Sequence, residues 1–314
     1  MATQTLAQAA KLINNEIVQG VAEDIITTNP VWNVIPWTGY EGQALLVNRE
    51  NALGDAQHLA VGGTITAKAA ATFTQVPFSA TTTIGDAEMN GLVQAQSSAA
   101  GVDQLAVEIS SKAKSVGRLL QTGIATGTGS APAMNSLHSL VDAAQFAGGT
   151  SAGGRALSFA LLDGLLNLVK AKDGEVDWIM MPSRTLQSYK SLVRALGGIN
   201  ETMTFTMPNG TTRNVSVYEG IPIFQNDYLS VVETANGAAI TGGALTSVWA
   251  GVWDDGTQKV GVSMIHPMGV PAGIQVEQVG VAETKDESIV RVKSYSNFAS
   301  FNRKGIARLA SINN

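Results

Sequence analysis

Three histidines and two pairs of neighbouring acids are the side chains with which this chain could most readily carry out chemistry. His58, His138 and His266 stand far apart in the sequence and lack the close spacing that is typical of metal ligands. The pairs Asp254-Asp255 and Asp286-Glu287 each lie in a turn signal, so we interpret them as solvated turns rather than as a general acid and base. The chain has no cysteine, which excludes disulfides and thiolate metal sites. We therefore predict no catalytic residue, no metal and no cofactor.

A glycine-rich segment, GIATGTG at residues 123–129, resembles a phosphate-binding loop in glycine content only. It lacks the Gly-Lys-Ser/Thr ending of a P-loop, and it follows a predicted helix, whereas the dinucleotide-binding fingerprint follows a strand. We interpret it as the end of a helix. We do not expect a serine nucleophile on a Gly-x-Ser-x-Gly elbow either, so the hypothesis of a soluble α+β enzyme has no positive feature behind it.

The composition is low in charge. Of the 314 residues, 45% are hydrophobic and 14% are charged, where globular chains carry about 25% charged residues. This is typical either of a surface rich in glycine, alanine and threonine or of a subunit that buries much of itself against neighbours, because the cores of interfaces are depleted in charge. The net charge of -5 does not favour a protein that reads DNA sequence, since such proteins are more often basic.

No part of the sequence predicts a membrane partner. The N-terminal residues 1–16 lack the basic region and apolar core of a signal peptide. Residues 235–253 carry no charge, but glycines and polar residues interrupt them, so we interpret them as strands rather than as a membrane span.

The first part of the chain predicts a helical arm followed by a long hairpin. Apolar residues at steps of three or four predict a helix over residues 3–28, and the Asn29-Pro30 step ends it. Residues 43–50 and 72–84 are predicted strands. About twenty residues with little charge separate them, which is longer than loops usually are in compact domains and indicates a projecting hairpin.

Helices dominate the middle of the sequence. We predict a short helix over residues 86–97 and a long amphipathic helix over 98–122, which Gly123 and Gly127 end. At 1.5 Å per residue the long helix would span roughly 37 Å, enough to run along a whole sheet. Further predicted helices cover residues 158–172 and 184–196.

Strands dominate the second half, and the class is therefore α+β. Pro208-Asn209-Gly210 lies between two alternating runs and indicates a hairpin. The predicted strands are residues 176–181, 202–207, 211–218, 244–253, 259–265, 273–281, 288–294 and 305–311, and residues 219–224 are predicted to form a turn into a further strand.

The order of these elements resembles the major capsid proteins of tailed bacteriophages of the Hong Kong 97 type. Four local sequences carry the likeness: NPVWNVIP at residues 29–36, TIGDAE at 83–88, DWIMMPS at 177–183 and YEGIPIF at 218–224. They look like the end of that family's N-terminal arm, the strand that precedes its spine helix, and two segments of its axial domain. The likeness covers nearly the whole chain.

The resemblance implies a division of the chain into five parts. Residues 1–38 would form the N-terminal arm and residues 39–84 the extended hairpin loop. Residues 85–160 would form the peripheral domain with the spine helix, and residues 161–265 the axial domain. The C-terminal strands, residues 266–314, would return to the peripheral domain.

The resemblance also implies a structural function. The chain would assemble with itself into pentamers and hexamers of an icosahedral shell around double-stranded phage DNA, with which it makes non-specific contacts. Assembly would occur in the host cytoplasm, and the finished protein would lie in the virion. A portal protein would be a further partner, and the resemblance also allows a decoration protein as a partner. Fewer than forty residues precede the hairpin, which implies a separate scaffolding protein. The alternative shell is an encapsulin-like compartment around a cargo enzyme.

Seven residues are the candidates for contacts between subunits. They lie in the arm and the hairpin, where an extended segment has too little core of its own to be ordered in isolation. The candidates are Trp32, Trp37, Arg49, Leu53, Leu59, Lys68 and Phe73. Some capsid proteins of this type crosslink themselves through a hairpin lysine. Lys68 is the only lysine in this loop, and because no asparagine partner is evident we expect it to remain a solvated charge.

Overall fold

The computed structural model describes residues 34–99, 104–149, 151–171, 174–197, 201–206 and 212–313. The predicted helix over residues 3–28 and the contact candidate Trp32 lie outside these ranges. Within them, no helix is long and apolar enough to cross a membrane.

The described elements alternate between helices and strands before a C-terminal run of strands. The helices are α1 (Gly91–Ala99), α2 (Gln104–Thr126), α3 (Leu137–Leu140), α4 (Phe159–Lys170) and α5 (Ser183–Ala195). The strands are β1 (Trp37–Tyr40), β2 (Leu45–Ala52), β3 (Thr72–Phe78), β4 (Thr81–Asn90), β5 (Phe146–Ala147), β6 (Trp178–Met181), β7 (Thr202–Thr206), β8 (Thr212–Tyr218), β9 (Ile221–Gln225), β10 (Thr246–Gly251), β11 (Val262–Pro267), β12 (Gln275–Val281), β13 (Glu287–Ser300) and β14 (Ile306–Ile312). Short 3₁₀ turns cover Ala143–Gln145 and Ala235–Gly237.

A five-stranded sheet supports the long helix. Strand β13 is its centre: its first half pairs with β12 and β4, and its last residues pair with β11, which in turn pairs with β1. Helix α2 packs against β4 and β13 through a buried stripe that includes Val116, Leu120 and Ile124. Its 23 residues give a length of about 35 Å at 1.5 Å per residue.

Helix α2 continues past the glycine that was predicted to end it. Gly123 lies inside the helix, and a side chain there would collide with the sulfur of Met134. The glycine therefore serves the packing of the segment that follows α2 rather than the end of the helix. The helix ends at Thr126, and Gly127 follows it.

A seven-stranded sheet, in the order β5-β14-β10-β6-β9-β8-β7, separates two cores. Strand β6 is buried on both faces: Trp178 and Met180 point into the core shared with α2, and Ile179 and Met181 point into a second core with α4 and α5. This explains the continuous apolar run in its sequence, since strands covered on both faces do not alternate.

Several predicted boundaries are wrong. Residues 86–90 were expected in a helix but belong to β4, where Glu88 pairs with Ile289 of β13. The strand expected over residues 72–84 is interrupted at residues 79–80 and divides into β3 and β4. Residues 235–245 contain a 3₁₀ turn and loop instead of strand.

The sheet assignments of two strands also differ from expectation. Strand β14 was expected beside the spine helix but lies in the seven-stranded sheet, where it pairs with β10 and β5. Strand β11, which falls in the range expected for the axial domain, pairs with β13 in the five-stranded sheet. After β10 the chain therefore crosses between the two sheets more than once. Spacing along the sequence does not reveal which of these strands pair with each other.

Candidate assembly surface

The hairpin of β2 and β3 has one face turned toward the subunit and one turned away. Val47 and Phe78 are buried on the inner face, in a small core with Tyr40, Ile265 and Phe301. The Tyr40 hydroxyl accepts a hydrogen bond from the backbone N–H of Ala80 at 2.9 Å. The base of the hairpin is thus attached to the body, and its outer face carries Leu46 and Phe73, both exposed.

Beyond the paired strands, residues 53–71 form a tip that has its own local order. The Gln57 side-chain oxygen accepts hydrogen bonds from the backbone N–H groups of Thr66 at 2.9 Å and Ala67 at 2.7 Å. Its amide group donates to the carbonyl of Thr64 at 3.1 Å. Asp55 and Ala69 are joined by a backbone hydrogen bond of 3.1 Å. These contacts join the two sides of the tip to each other.

The hairpin exposes large apolar side chains that contribute nothing to the described core. Leu53 is 78% exposed and Phe73 is 67% exposed. The full set on the hairpin is Leu46, Leu53, Leu59, Val61, Ile65 and Phe73. A projecting element with six exposed large apolar residues indicates a surface made to be covered by another molecule. We call this set the hairpin apolar surface.

The structure separates the predicted contact residues into two groups. Leu53, Leu59 and Phe73 belong to the hairpin apolar surface, and Lys68 is exposed beside them. Arg49 is turned inward: its guanidinium donates to the carbonyl of Ser300 and lies 5.6 Å above the ring of Phe78. Leu46, Val61 and Ile65 also lie on this surface, and they were not among the candidates predicted from the sequence. The alternation of β2 was the signal for Leu46, because residues on either side of the inward Val47 must point outward.

Trp37 is half-buried within its own subunit. It lies in β1, pairs with Met264 of β11, packs against the α2 core, and its ring centroid is 6.2 Å from that of His266. We expect Trp37→Ala to lower the free energy of unfolding by about 3 kcal/mol, the usual cost of removing a large packed aromatic. Thermal melting of the unassembled subunit checks this. A variant that melts normally alone but weakens assembled material would instead place the main contact of Trp37 in a neighbouring subunit.

A buried ionic cluster lies beside the seven-stranded sheet, and sequence reasoning did not find it. Arg308 of β14 donates to the Glu233 carboxylate at 3.0 Å and to the Ser247 hydroxyl at 3.0 Å. Both charged side chains are almost fully buried, and the Arg308 guanidinium stacks 5.2 Å from the Trp249 ring. Burial raises the pKa of Glu233, against the opposing effects of Arg308 and Ser247. These contacts connect the loop before β10 to strand β14 and stabilise its position.

His138 of α3 completes this cluster as a neutral side chain. Its ring meets Trp249 edge-on with 4.7 Å between the centroids, and its Nε2 lies 3.4 Å from a Glu233 oxygen. Burial, together with the charge of Arg308, lowers the pKa of His138 to about 3.

The lowered pKa of His138 predicts acid sensitivity with a definite sign. Between pH 3 and the ordinary histidine pKa of about 6.5, the unfolded chain binds a proton that the folded chain rejects. Above about pH 6.5 the histidine is neutral in both states and does not make the stability depend on pH. Below that pH, the free energy of unfolding falls by at most about 1.4 kcal/mol for each pH unit. Denaturant unfolding of the wild type and His138→Phe from pH 7 to pH 4 measures this.

The variant His138→Phe should lose stability less steeply on acidification than the wild type. The exposed His58 of the hairpin gives a matched control, since His58→Phe should leave the pH dependence unchanged. Parallel curves for the wild type and His138→Phe would contradict a neutral buried histidine.

The paired acids differ in their surroundings. Asp255 is exposed and accepts from Thr257, as expected for a turn. Asp254, by contrast, is buried and accepts hydrogen bonds from the Thr38 hydroxyl at 3.2 Å and the Gln258 N–H at 3.1 Å. It therefore fastens β1 to the turn before β11, which corrects the prediction of a solvated turn. Glu287 is also buried, where β13 begins.

Among the described residues, no group of three or more acids and histidines could hold a metal.

One segment does match the nucleophile-elbow pattern, contrary to expectation. Residues 149–153 read GTSAG. An active elbow stands on a sharp turn from a strand into a helix. Ser151 is instead exposed in a turn closed by the hydrogen bond from the Gly154 N–H, and the next helix begins only at Phe159. The pattern therefore lacks the structural context that the chemistry needs.

Comparison with solved structures places the whole chain in one fold. The holo-SrpI encapsulin complex from Synechococcus elongatus PCC 7942 aligns over 100% of this chain and 97% of its own, with a TM-score of 0.70 and 15% identity. The capsid of cyanophage A-1(L) aligns over 99% of this chain and 100% of its own, with a TM-score of 0.68 and 12% identity. The capsid of Myoviridae phage XM1 aligns over 97% and 98%, with a TM-score of 0.61 and 13% identity.

Sequence comparison adds no relative, since no protein-family profile and no curated protein matches the chain. The structural alignments confirm the expected fold class. The chain has the α+β, Hong Kong 97-like fold that phage capsid proteins share.

Proposed function

We propose that this chain is the major capsid protein of a tailed bacteriophage, a structural protein whose copies build a closed shell around double-stranded DNA. The observation that carries the proposal is the hairpin apolar surface. It lies on an element anchored at its base and extended at its tip, in a chain whose fold neighbours include several phage capsids. Exposed apolar patches on the surface of a folded protein commonly mark sites that another protein covers.

The composition supports the same proposal. A chain with 14% charged residues can form large interfaces without burying many unpaired charges. Repeated contacts between identical subunits combine modest affinities into a stable particle. The chain as a whole carries a net charge of -5, which is unlike proteins that read DNA sequence, so contacts with the packaged DNA would be non-specific.

The finer parts of the proposal rest on the resemblance to tailed-phage capsid proteins. Pentamers and hexamers would be the building units, formed in the host cytoplasm with a separate scaffolding protein and completed by a portal protein. Leu53, Leu59 and Phe73 would contact a neighbouring subunit, together with Lys68 at the hairpin tip. Arg49 and Trp37 would act indirectly, by holding the hairpin and β1 to the body.

Sedimentation velocity of the full chain, expressed together with its scaffolding protein, tests the proposal. We expect species of pentamer size or larger, built from subunits of 32.7 kDa, whose share rises with protein concentration. A monomer that persists across protein concentration and salt would contradict the proposal.

A second candidate function is a protein compartment that encloses a cargo enzyme. The full-length alignment with an encapsulin complex at a TM-score of 0.70 favours it. The two candidates predict different contents. Native particles treated with nuclease should retain protected DNA if the shell is viral, and should hold protein cargo without DNA if it is a compartment.

The proposed shell is expected to hold together without covalent links between subunits. Lys68 is exposed, and an isopeptide bond would require its amine to lose its charge in an apolar pocket. Assembled particles boiled in denaturant should therefore run as a single band near 32.7 kDa. A ladder of multimers in the wild type that disappears in Lys68→Ala would contradict this expectation.

A further inference from the structure

A cleft of about 540 Å³ lies beside the hairpin, where the end of β2 meets the body of the subunit. The end of β2, the 3₁₀ turn over Ala143–Gln145 and the connection between β13 and β14 line it. Its charged lining residues are Arg49, Lys259, Arg303, Lys304, Glu50 and Asp142. Four basic and two acidic groups therefore meet in one cleft of a chain whose net charge is negative.

The two arginines in the cleft share a single carboxylate. Arg303 forms the close ion pair with this carboxylate, since its Nε and terminal nitrogen both lie 2.8 Å from one oxygen of Asp142. Burial alone would raise the pKa of Asp142, but hydrogen bonds from Ala144 and Arg303 and the charge of Arg49 lower it below its ordinary value. Asp142 is therefore ionised, and its single negative charge cannot neutralise the positive charges of both guanidinium groups.

Arg49 is left without a charge partner of its own. Its guanidinium donates to the Ser300 carbonyl, but its Nε is buried and has no hydrogen-bond partner among the residues that the structure describes. Burial lowers the pKa of Arg49, the repulsion from Arg303 lowers it further, and only the charge of Asp142 opposes them. Because the Nε is itself buried, an anion in the cleft would meet the terminal nitrogens of Arg49, and it would balance the guanidinium charge that Asp142 leaves uncompensated.

The lysines extend the positive charge across the cleft. Lys304 lines the cleft, although its ammonium donates to the carbonyl of Ala171, which lies outside it, at 3.2 Å. Lys259 is exposed and forms no close ion pair with a described residue, although its charge acts on the nearby Asp255 carboxylate. Guanidinium groups bind phosphate oxygens through paired hydrogen bonds, and ammonium groups add charge without fixed geometry.

We propose that this cleft binds a phosphate group, held by Arg49 and Arg303 and attracted by Lys259. The proposal is independent of shell assembly, because it rests on the charges of one subunit. The phosphate could be a free anion or part of a nucleic-acid backbone. Both sources present the same tetrahedral oxyanion, so the experiment must separate them.

Calorimetric titration of the full chain with inorganic pyrophosphate, with chloride keeping the ionic strength constant, tests the site. All variants are compared in the same assembly state. Lys259→Gln should weaken binding by about two- to fivefold, the range expected for one partly exposed ion pair. Asp142→Asn should tighten it by a similar factor, because it removes the competing carboxylate while an asparagine can still cap the turn through the Ala144 N–H.

Lys68→Gln is the matched control, because it removes one exposed lysine from the hairpin tip and not from the cleft. It should leave binding unchanged. A short DNA duplex that displaces pyrophosphate from the wild type, and does so less well from Lys259→Gln, would identify the nucleic-acid backbone as the source. A duplex that does not compete would identify the free anion.

Opposite shifts in Asp142→Asn and Lys259→Gln cannot come from a general loss of folding, so they support the site whatever the stability of the variants. No heat of binding in the wild type would overturn the proposal. Equal binding by all four proteins, or equal binding of malonate in place of pyrophosphate, would also overturn it.

Discussion

Deletion of residues 52–71, with the strands joined by Asn-Gly, is expected to leave the subunit folded and to abolish closed shells. The pairing of β2 with β3 permits the new connection. Glu50 pairs with Phe73, so Asn51 would then face Thr72 across a two-residue turn, the commonest connection of a hairpin. None of the deleted residues belongs to the buried core.

The deletion removes four of the six members of the hairpin apolar surface: Leu53, Leu59, Val61 and Ile65. The inner residues Val47 and Phe78, which hold the hairpin base, remain. We therefore expect the free energy of unfolding of the subunit to change by less than about 1 kcal/mol, as is usual for exposed segments. Assembly should be lost, because the contacts that reach a neighbour are gone.

Urea unfolding of the subunit and light scattering during assembly measure the two effects separately. The variant Leu53→Ser/Leu59→Ser/Ile65→Ser keeps the loop length and should also block assembly. Thr64→Ser is the matched control, because it changes an exposed polar side chain of the same loop, and it should assemble normally. Normal shells from the deletion would show that the hairpin does not carry the contacts assigned to it.

Arg308→Ala is expected to destabilise the subunit by about 3–5 kcal/mol, the cost of leaving a buried charge without its partner. Glu233 would lose its ionic partner inside the protein, and Ser247 would lose the guanidinium that it contacts. The loop before β10 would then be released from β14. Chemical unfolding at pH 7 measures this loss.

Lys170→Ala supplies a matched comparison. Lys170 also pairs with a glutamate, Glu219, at 3.0 Å, but both of these side chains are about half exposed. Its loss should cost less than about 1 kcal/mol, as for most surface ion pairs. Equal losses in the two variants would show that the Glu233–Arg308 pair is not desolvated as the structure indicates.

Elements with a strong local pattern could be predicted from the sequence. The stripe of apolar residues gave the long helix, and the Asn-Gly step between alternating runs gave the hairpin of β7 and β8. The helix boundary at Gly123 was wrong because the reason for that glycine, contact with Met134, is tertiary. The end of β4 was missed for the same reason, since its last residues are held by pairing with β13.

The candidate surface was predicted in part. The length and low charge of residues 53–71 indicated a projecting hairpin, and several exposed apolar residues were identified. Arg49 could not be placed from sequence, because alternation puts it on the same face as Val47 but does not show that Ser300 and Phe78 meet that face. The cluster of His138, Glu233 and Arg308 joins residues more than seventy positions apart, and no local pattern reports such contacts.

Electron microscopy of the sedimented particles tests the central claim most directly. If copies of this chain build a shell, negatively stained samples of the chain expressed with its scaffolding protein should show closed particles of uniform diameter. The deletion of residues 52–71 should show none. Wild-type samples that contain only single subunits or irregular aggregates, at every protein concentration and salt concentration tried, would contradict the claim that this chain is a shell protein.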